Sequence, residues 1–215
     1  MNRMLLADIG NTHFHIYDGK KVEHLSYTDA IAKYKEKEIC YISVKKQGLE
    51  QIASLELWKN ISSFVHIDGE YETMGVDRKS LCLSHNEGVF VDAGSAITVD
   101  IVEKGSYQGG FILPGLHAFV KCYGGISPAL ETTLDKTLDL EHLASTTKEQ
   151  ISYGIIASIK ALIKMHSQGK TLYFTGGDGK FLSSLFVGAK YDETLVFQGM
   201  IKTIKDKKYV NNSTS

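Results

Sequence analysis

Residues 88–115, GVFVDAGSAITVDIVEKGSYQGGFILPG, carry the pattern from which the rest of the chain is read. An apolar run, Val89–Val91, stops on Asp92-Ala-Gly-Ser, and an alternating run continues to Glu103. Lys104-Gly105 turns the chain, and a third run ends at Pro114-Gly115. Alternation with a period of two puts successive side chains on opposite faces, so each run predicts a strand. Residues 4–27, MLLADIGNTHFHIYDGKKVEHLSY, repeat the plan: Met4–Ala7 stops on Asp8-Ile-Gly-Asn-Thr, and Asp18-Gly19 turns between a second run and a third. The unit recurs after about eighty residues, a spacing that points to two related lobes rather than to a solenoid.

Gly10 and Gly94 let the backbone come close to a ligand in conformations a side chain forbids. Asn11, Thr12 and Ser95 follow them and can aim hydroxyl, amide and main-chain N–H groups at phosphate oxygens. A carboxylate at each strand end repels phosphate unless a cation intervenes, so Asp8 and Asp92 imply bound metal or monovalent ions. One such turn is compatible with a plain hairpin. Two, in matching three-strand contexts, point to a nucleotide phosphate clamp.

Between the repeats, residues 28–38 and 47–59 predict helices, and residues 39–44 and 64–67 predict strands. Residues 68–87 break the pattern and read as a loop, with Gly75-Val-Asp77-Arg78 setting an acid beside a guanidinium. That pair is either a loop salt bridge or a device holding an anionic substrate and its reacting hydroxyl. After the second repeat, a helix from Leu116 should end before Pro128. Thr146 and Thr147, each followed three residues on by Glu149 or Gln150, form a capping-box signature. It opens a helix striped by Ile151, Ile155, Ile159 and Leu162-Ile163. Residues 171–175 form a strand ending in Gly176-Gly177-Asp178-Gly179, either a tight turn or a seat for a nucleoside; residues after Lys205 should fray.

Bulk properties exclude several classes. With a net charge of −1 at 215 residues there is no basic footprint for nucleic acid, and no apolar run approaches the ~20 residues of a membrane span. The short apolar start is broken at Asp8, which argues against a signal peptide. Three widely spaced cysteines fit reduced thiols in a cytoplasmic protein. His13 and His15 share a strand face without a third ligand, so no zinc site is expected.

Together, Asp8-Ile-Gly-Asn-Thr12, Gly75-Val-Asp-Arg78, Asp92-Ala-Gly-Ser-Ala-Ile-Thr-Val-Asp100, Gly109-Gly-Phe-Ile-Leu-Pro-Gly115 and Thr175-Gly-Gly177 resemble the type III pantothenate kinases over almost the whole chain. The resemblance implies an α/β fold of two tandem ribonuclease-H-like lobes, mixed sheets flanked by helices, in the acetate and sugar kinase/Hsp70/actin superfamily. The expected lobes are residues 1–87, including the substrate loop 68–87, and residues 88–215. The sequence departs from the family pattern at Ser95, where threonine is usual, and at Glu72-Thr73-Met74, where a proline is usual.

By that resemblance, Asp8, Ile9, Gly10, Asn11, Thr12, His13, Phe14 and His15 hold the phosphates of ATP, with Asp8 near its magnesium. Ser95 meets the phosphates from the second lobe, and Gly176 and Gly177 the adenosine side. Asp77 is the general base on pantothenate's primary hydroxyl. Tyr71, Gly75, Val76 and Arg78 line the pantothenate pocket, joined by Thr147 from the other subunit of a homodimer. Asp92 holds an activating potassium or ammonium ion. Rival readings are a superfamily kinase acting on another small acceptor, a ribonuclease-H-type nuclease, and a non-catalytic ATP-binding relative that regulates through a partner. The G-x-D-R element opposes the first, the separation of Asp8 and Asp92 the second, and the presence of Asp77 and Arg78 the third.

Overall fold

The computed structural model describes residues 4–10, 14–45 and 50–212, with side chains up to residue 207. In chain order the strands and helices are β1 (Leu5–Ile9), β2 (Phe14–Tyr17), β3 (Val22–Leu25), α1 (Tyr27–Tyr34), β4 (Ile39–Ser43), α2 (Glu50–Ala53) and β5 (Trp58–Asn60). Then come α3 (Val76–Leu83), β6 (Gly88–Ala93), β7 (Ala96–Glu103), β8 (Ser106–Pro114), α4 (Leu116–Ile126) and α5 (Thr147–Ser167). The chain closes with β9 (Leu172–Thr175), α6 (Gly179–Ser183), β10 (Lys190–Tyr191) and α7 (Leu195–Asn212).

Each repeat opens a five-stranded sheet, ordered β3-β2-β1-β4-β5 in one and β8-β7-β6-β9-β10, read in the same sense, in the other. In both, the first strand pairs antiparallel with the second and parallel with the fourth. The duplicated hairpin is thus a duplicated sheet, two mixed sheets flanked by helices. In the first, Ala7, Ile9, Phe14, Ile16, Ile39 and Tyr41 face Ala30 of α1 and Ile52 of α2. In the second, Val89, Val91, Ile97 and Val99 meet the predicted stripe of α5, Ile151, Ile155, Ile159 and Ile163. Thr146 caps α5 with Glu149 in the capping box read from the sequence.

The chain divides into two compact units, the first holding residues up to Asn86, the turn Glu103–Tyr107 and everything from Glu193 onward. That grouping differs from lobes of 1–87 and 88–215 because α7 packs on α3. Ser80 Oγ of α3 donates to Val196 O at 2.7 Å, and Phe197 stacks on Tyr17 with ring centroids 5.3 Å apart. The helix α7 runs to Asn212, past the point where the sequence predicts fraying.

Two further expectations shift. Of the helix expected over 47–59, residues 47–49 lie outside the described residues, and the described part is only one turn, Glu50–Ala53. Trp58 instead pairs parallel with Ile39 and buries its ring, with Nε1 donating to Tyr34 O at 3.2 Å. The strand expected at 64–67 is a 3-10 turn, Ser62–Phe64, followed by extended chain that buries Val65 and Ile67. Among the described residues no helix is long and apolar enough to cross a membrane, and Cys40, Cys82 and Cys122 form no disulfide.

Gly199 marks the tightest helix contact: a Cβ there would overlap the backbone carbonyl of Ser80. Replacing a helical glycine by alanine ordinarily stabilises by about 1 kcal/mol. At this position we expect the reverse, a loss of about 2 kcal/mol from overpacking, read as a lowered urea midpoint for Gly199→Ala.

Candidate active site

In the first unit the turn after β1 is anchored from the side. Tyr27, at the start of α1, donates its hydroxyl to Gly10 O at 2.5 Å, and Ser43 Oγ reaches Ile9 O at 3.4 Å. Asp8 lies opposite His15 in β2, and His15 lies opposite His24 in β3, so the three share one face in a row. The two imidazoles bring their Nδ1 atoms to 2.6 Å, which requires a proton between them. His24 was not singled out by any motif, and only the strand register reveals it. Phe14 is fully buried and acts as core. Asn11, Thr12 and His13 lie outside the described residues.

The stretch read as a loop holds a helix. Gly75 caps α3, so Asp77 stands in its first turn, where the helix dipole favours an anion. A Cβ on Gly75 would run into the Asp77 carboxylate, and that carboxylate accepts the Arg78 N–H at 2.8 Å. Arg78 is buried, 7% exposed, and donates to the Tyr71 hydroxyl at 2.6 Å. Tyr71 is half in solvent, so this Arg–Tyr contact joins the protein interior to its surface.

Glu70 ties this element to the frame. Its carboxylate accepts Lys79 Nζ at 2.7 Å, Ile67 N–H at 2.8 Å and a His66 contact at 3.0 Å. Burial pushes the Glu70 carboxyl up, but these three bonds outweigh it and hold it below the ordinary 4.5. The β7–β8 turn supports the other flank: Tyr107 N–H donates to Asp68 O at 2.7 Å. The end of β4 bridges turn and helix, since a Cβ at Gly75 would lie 3.8 Å from Val44 Cγ1, next to Ser43.

In the second unit three turns meet backbone to backbone. Gly115 N–H donates to Ser95 O at 3.0 Å, and Asp178 N–H to Ala93 O at 2.9 Å. A Cβ at Gly115 would sit 2.6 Å from Ser95 O, and one at Gly176 (φ +84°) 2.5 Å from the Asp92 carboxylate. Asp92, Ser95, Gly176 and Gly177 are therefore one constellation, with Ser95 and Gly177 exposed. Thr175 and Thr98 flank Asp92 in register, and Thr98 Oγ1 is buried without a hydrogen-bond partner. Beside Asp178 opens a cavity of about 860 Å³, lined by His117 and Lys121 of α4 and by Glu131, Thr133 and Lys136. Lys136 pairs with Asp178 at 2.7 Å. Thr147 stands exposed at the first position of α5 and makes no hydrogen bond to these turns among the described residues. No group of three metal-ligating side chains converges among the described residues.

The Glu70 clamp predicts a pH dependence. A lowered folded-state value means its stabilisation is present above about pH 4.5 and is lost as pH falls through the folded-state value. The Tm gap between wild type and Glu70→Gln should therefore be present at pH 7 and shrink on acidification below 4.5.

Comparison with known proteins places these features in a family. The family model for type III pantothenate kinase matches residues 59–168. The type III pantothenate kinase of Campylobacter jejuni (strain RM1221) is 40% identical over 94% of this chain and 97% of its own. A crystal structure of a conserved candidate Baf family transcriptional activator from Campylobacter jejuni superposes with a TM-score of 0.86 at 38% identity, covering 95% of this chain and 99% of that one. At the level of fold alone, a candidate 2-dehydro-3-deoxygalactonokinase from Sinorhizobium meliloti matches with a TM-score of 0.55 at 10% identity, over 94% and 98% of the chains. With the family model matching half of its length and a relative 40% identical over nearly all of it, the chain belongs to the type III pantothenate kinase family.

Proposed function

We propose that the protein transfers the γ-phosphoryl group of ATP to the primary hydroxyl of pantothenate, the first step of coenzyme A biosynthesis. The observation that carries this reading is the Gly75–Arg78 element: an acid at a helix N-terminus beside a buried arginine, in a chain of this family. Asp77 takes the hydroxyl proton as general base. Arg78, aimed by Tyr71, binds the pantothenate carboxylate, with Gly75 and Val76 leaving room beside it. Asp8, Gly10, Asn11, Thr12, His13 and His15 cradle the phosphates, together with Ser95, while the buried side chains of Ile9 and Phe14 serve as core beside them. Gly176 and Gly177 receive the nucleoside, which the cavity beside Asp178 has room to take.

The residues present fit the cations this chemistry needs. Asp8 Oδ1 is shielded from solvent, an acceptor suited to the magnesium that accompanies ATP. Asp92 stands in register between two hydroxyls, one of them the partnerless Thr98 Oγ1, and an oxygen set of that kind suits a weakly hydrated potassium or ammonium ion. Such cations neutralise phosphate charge; phosphoryl transfer otherwise depends on positioning. The protein's own part is to orient hydroxyl and phosphate and to accept one proton. We further propose a cytoplasmic homodimer in which Thr147 meets substrate across the subunit interface; Ile126 and Leu143, 72% and 85% exposed, offer apolar surface for it. Sedimentation as a dimer supports that arrangement, and a monomer at assay concentration removes it.

The second reading is a regulatory ATP-binding protein, raised by the transcriptional-activator relative. Ordered placement of Asp77 and Arg78 favours catalysis. ATP-dependent phosphorylation of pantothenate, assayed in potassium and then sodium buffer, separates the two. We expect turnover in potassium that falls in sodium, and a loss of roughly 10²–10⁴-fold in Asp77→Asn with Tm unchanged. ATP binding with no turnover in potassium or ammonium would favour the regulator.

A further inference from the structure

Just past the end of β4 stands a cation, Lys45, that rests on an aromatic ring. Lys45 is half-buried, and among the described residues its ammonium meets no Asp or Glu. It is held 4.2 Å above the Tyr27 ring instead. That ring is fixed on two other sides: Phe14 packs against it edge-on at 4.6 Å, and its hydroxyl is committed to Gly10 O. The Lys45 backbone is fixed as well, since its N–H donates to Ser43 Oγ at 3.1 Å, and the same oxygen reaches Ile9 O. Both ties end on Ile9 and Gly10, in the turn assigned to the ATP phosphates. Val44, one residue back, touches the Gly75 cap of the helix that carries Asp77.

A lysine resting on an aromatic face is an ordinary packing feature and needs no further role. Here, however, the ammonium sits on a fixed ring and, among the described residues, meets no carboxylate, so an arriving anion would supply a counter-charge. It also stands where the phosphate turn and the general-base helix approach one another within the first unit. We infer that Lys45 is a catalytic residue whose Nζ contacts the ATP polyphosphate and offsets charge as the γ-phosphoryl group moves. The inference rests on the kinase reading. In the transfer, the bond from the γ-phosphorus to its bridging oxygen breaks, and a bond to the pantothenate hydroxyl oxygen forms. The hydroxyl proton passes to Asp77, and Lys45 keeps its own proton throughout. Its contribution is fixed positive charge, already oriented by Tyr27 before substrate arrives.

The test compares wild type, Lys45→Met and Lys45→Arg by calorimetric titration with magnesium-ATP, steady-state kinetics and thermal unfolding. Methionine keeps the chain length and packs well on Tyr27, so Tm should stay at the wild-type value. We expect Lys45→Met to weaken ATP binding about tenfold and to lower kcat about 10²-fold, with KM for pantothenate unchanged and Lys45→Arg recovering most of the ATP affinity. Wild-type ATP affinity and kcat in Lys45→Met would overturn the inference. So would a lowered Tm with equal losses for both substrates, which marks a structural staple. If wild type binds ATP without phosphorylating pantothenate, the kinase reading fails and the catalytic role falls with it. The titration then still decides whether Lys45 contacts the polyphosphate.

Discussion

The second unit depends on backbone coming closer to backbone than a Cβ allows. Gly115 and Gly176 both press on the segment Asp92–Ser95, from the end of β8 and the end of β9. A side chain at either position would push the turns apart and carry Asp92 and Ser95 with them. Because the hydrogen bonds Gly115 N–H to Ser95 O and Asp178 N–H to Ala93 O run directly between turns, the constellation is set by main chain. Groups fixed in this way need no reorganisation when an anion binds, which is what charge stabilisation in phosphoryl transfer requires.

The Gly75–Arg78 element of the first unit is stabilised differently, through side chains that bond to frame atoms. Glu70 gathers Lys79, His66 and the Ile67 N–H, while Ser80 fastens the buried side of α3 to α7. Asp77 and Arg78 then extend from a helix whose inner face is immobilised. Such an arrangement tolerates a polar, glycine-containing approach segment, since order comes from Glu70 and from the Tyr107–Asp68 bond and not from apolar periodicity.

That difference explains what could be read from the sequence. The duplicated hairpin, the α5 stripe and its capping box follow local rules of alternation and capping, and each formed as expected. The acids at both strand ends and the glycines around them were legible for the same reason. The helix α3 was not: its first turn carries Asp77-Arg78-Lys79, and its buried side mixes Arg78 and Ser80 with Leu81 and Cys82, so a short apolar stripe does not announce it. Trp58 left its expected helix because a parallel partner, Ile39, lies nearly twenty residues away. Lys45, Tyr27 and His24 belong to no motif; the register of β1 to β4 brings them to the first turn.

The two repeats also show how one plan acquires two tasks. In each, an acid stands near the C-terminal end of the first strand, with a partner in the antiparallel neighbour. Beside Asp8 that partner is His15, backed by His24, and Tyr27, whose ring carries the Lys45 ammonium, donates its hydroxyl to Gly10 O in the turn beyond. Beside Asp92 the neighbours are Thr98 and Thr175, hydroxyls that carry no charge. Neutral oxygens can share a bound cation with a carboxylate, which is the chemistry proposed for the second turn. Beside the first strand the two imidazoles instead share a proton. Divergence between the halves thus lies in a few residues paired with the same two acids, while the sheets that present them keep one topology.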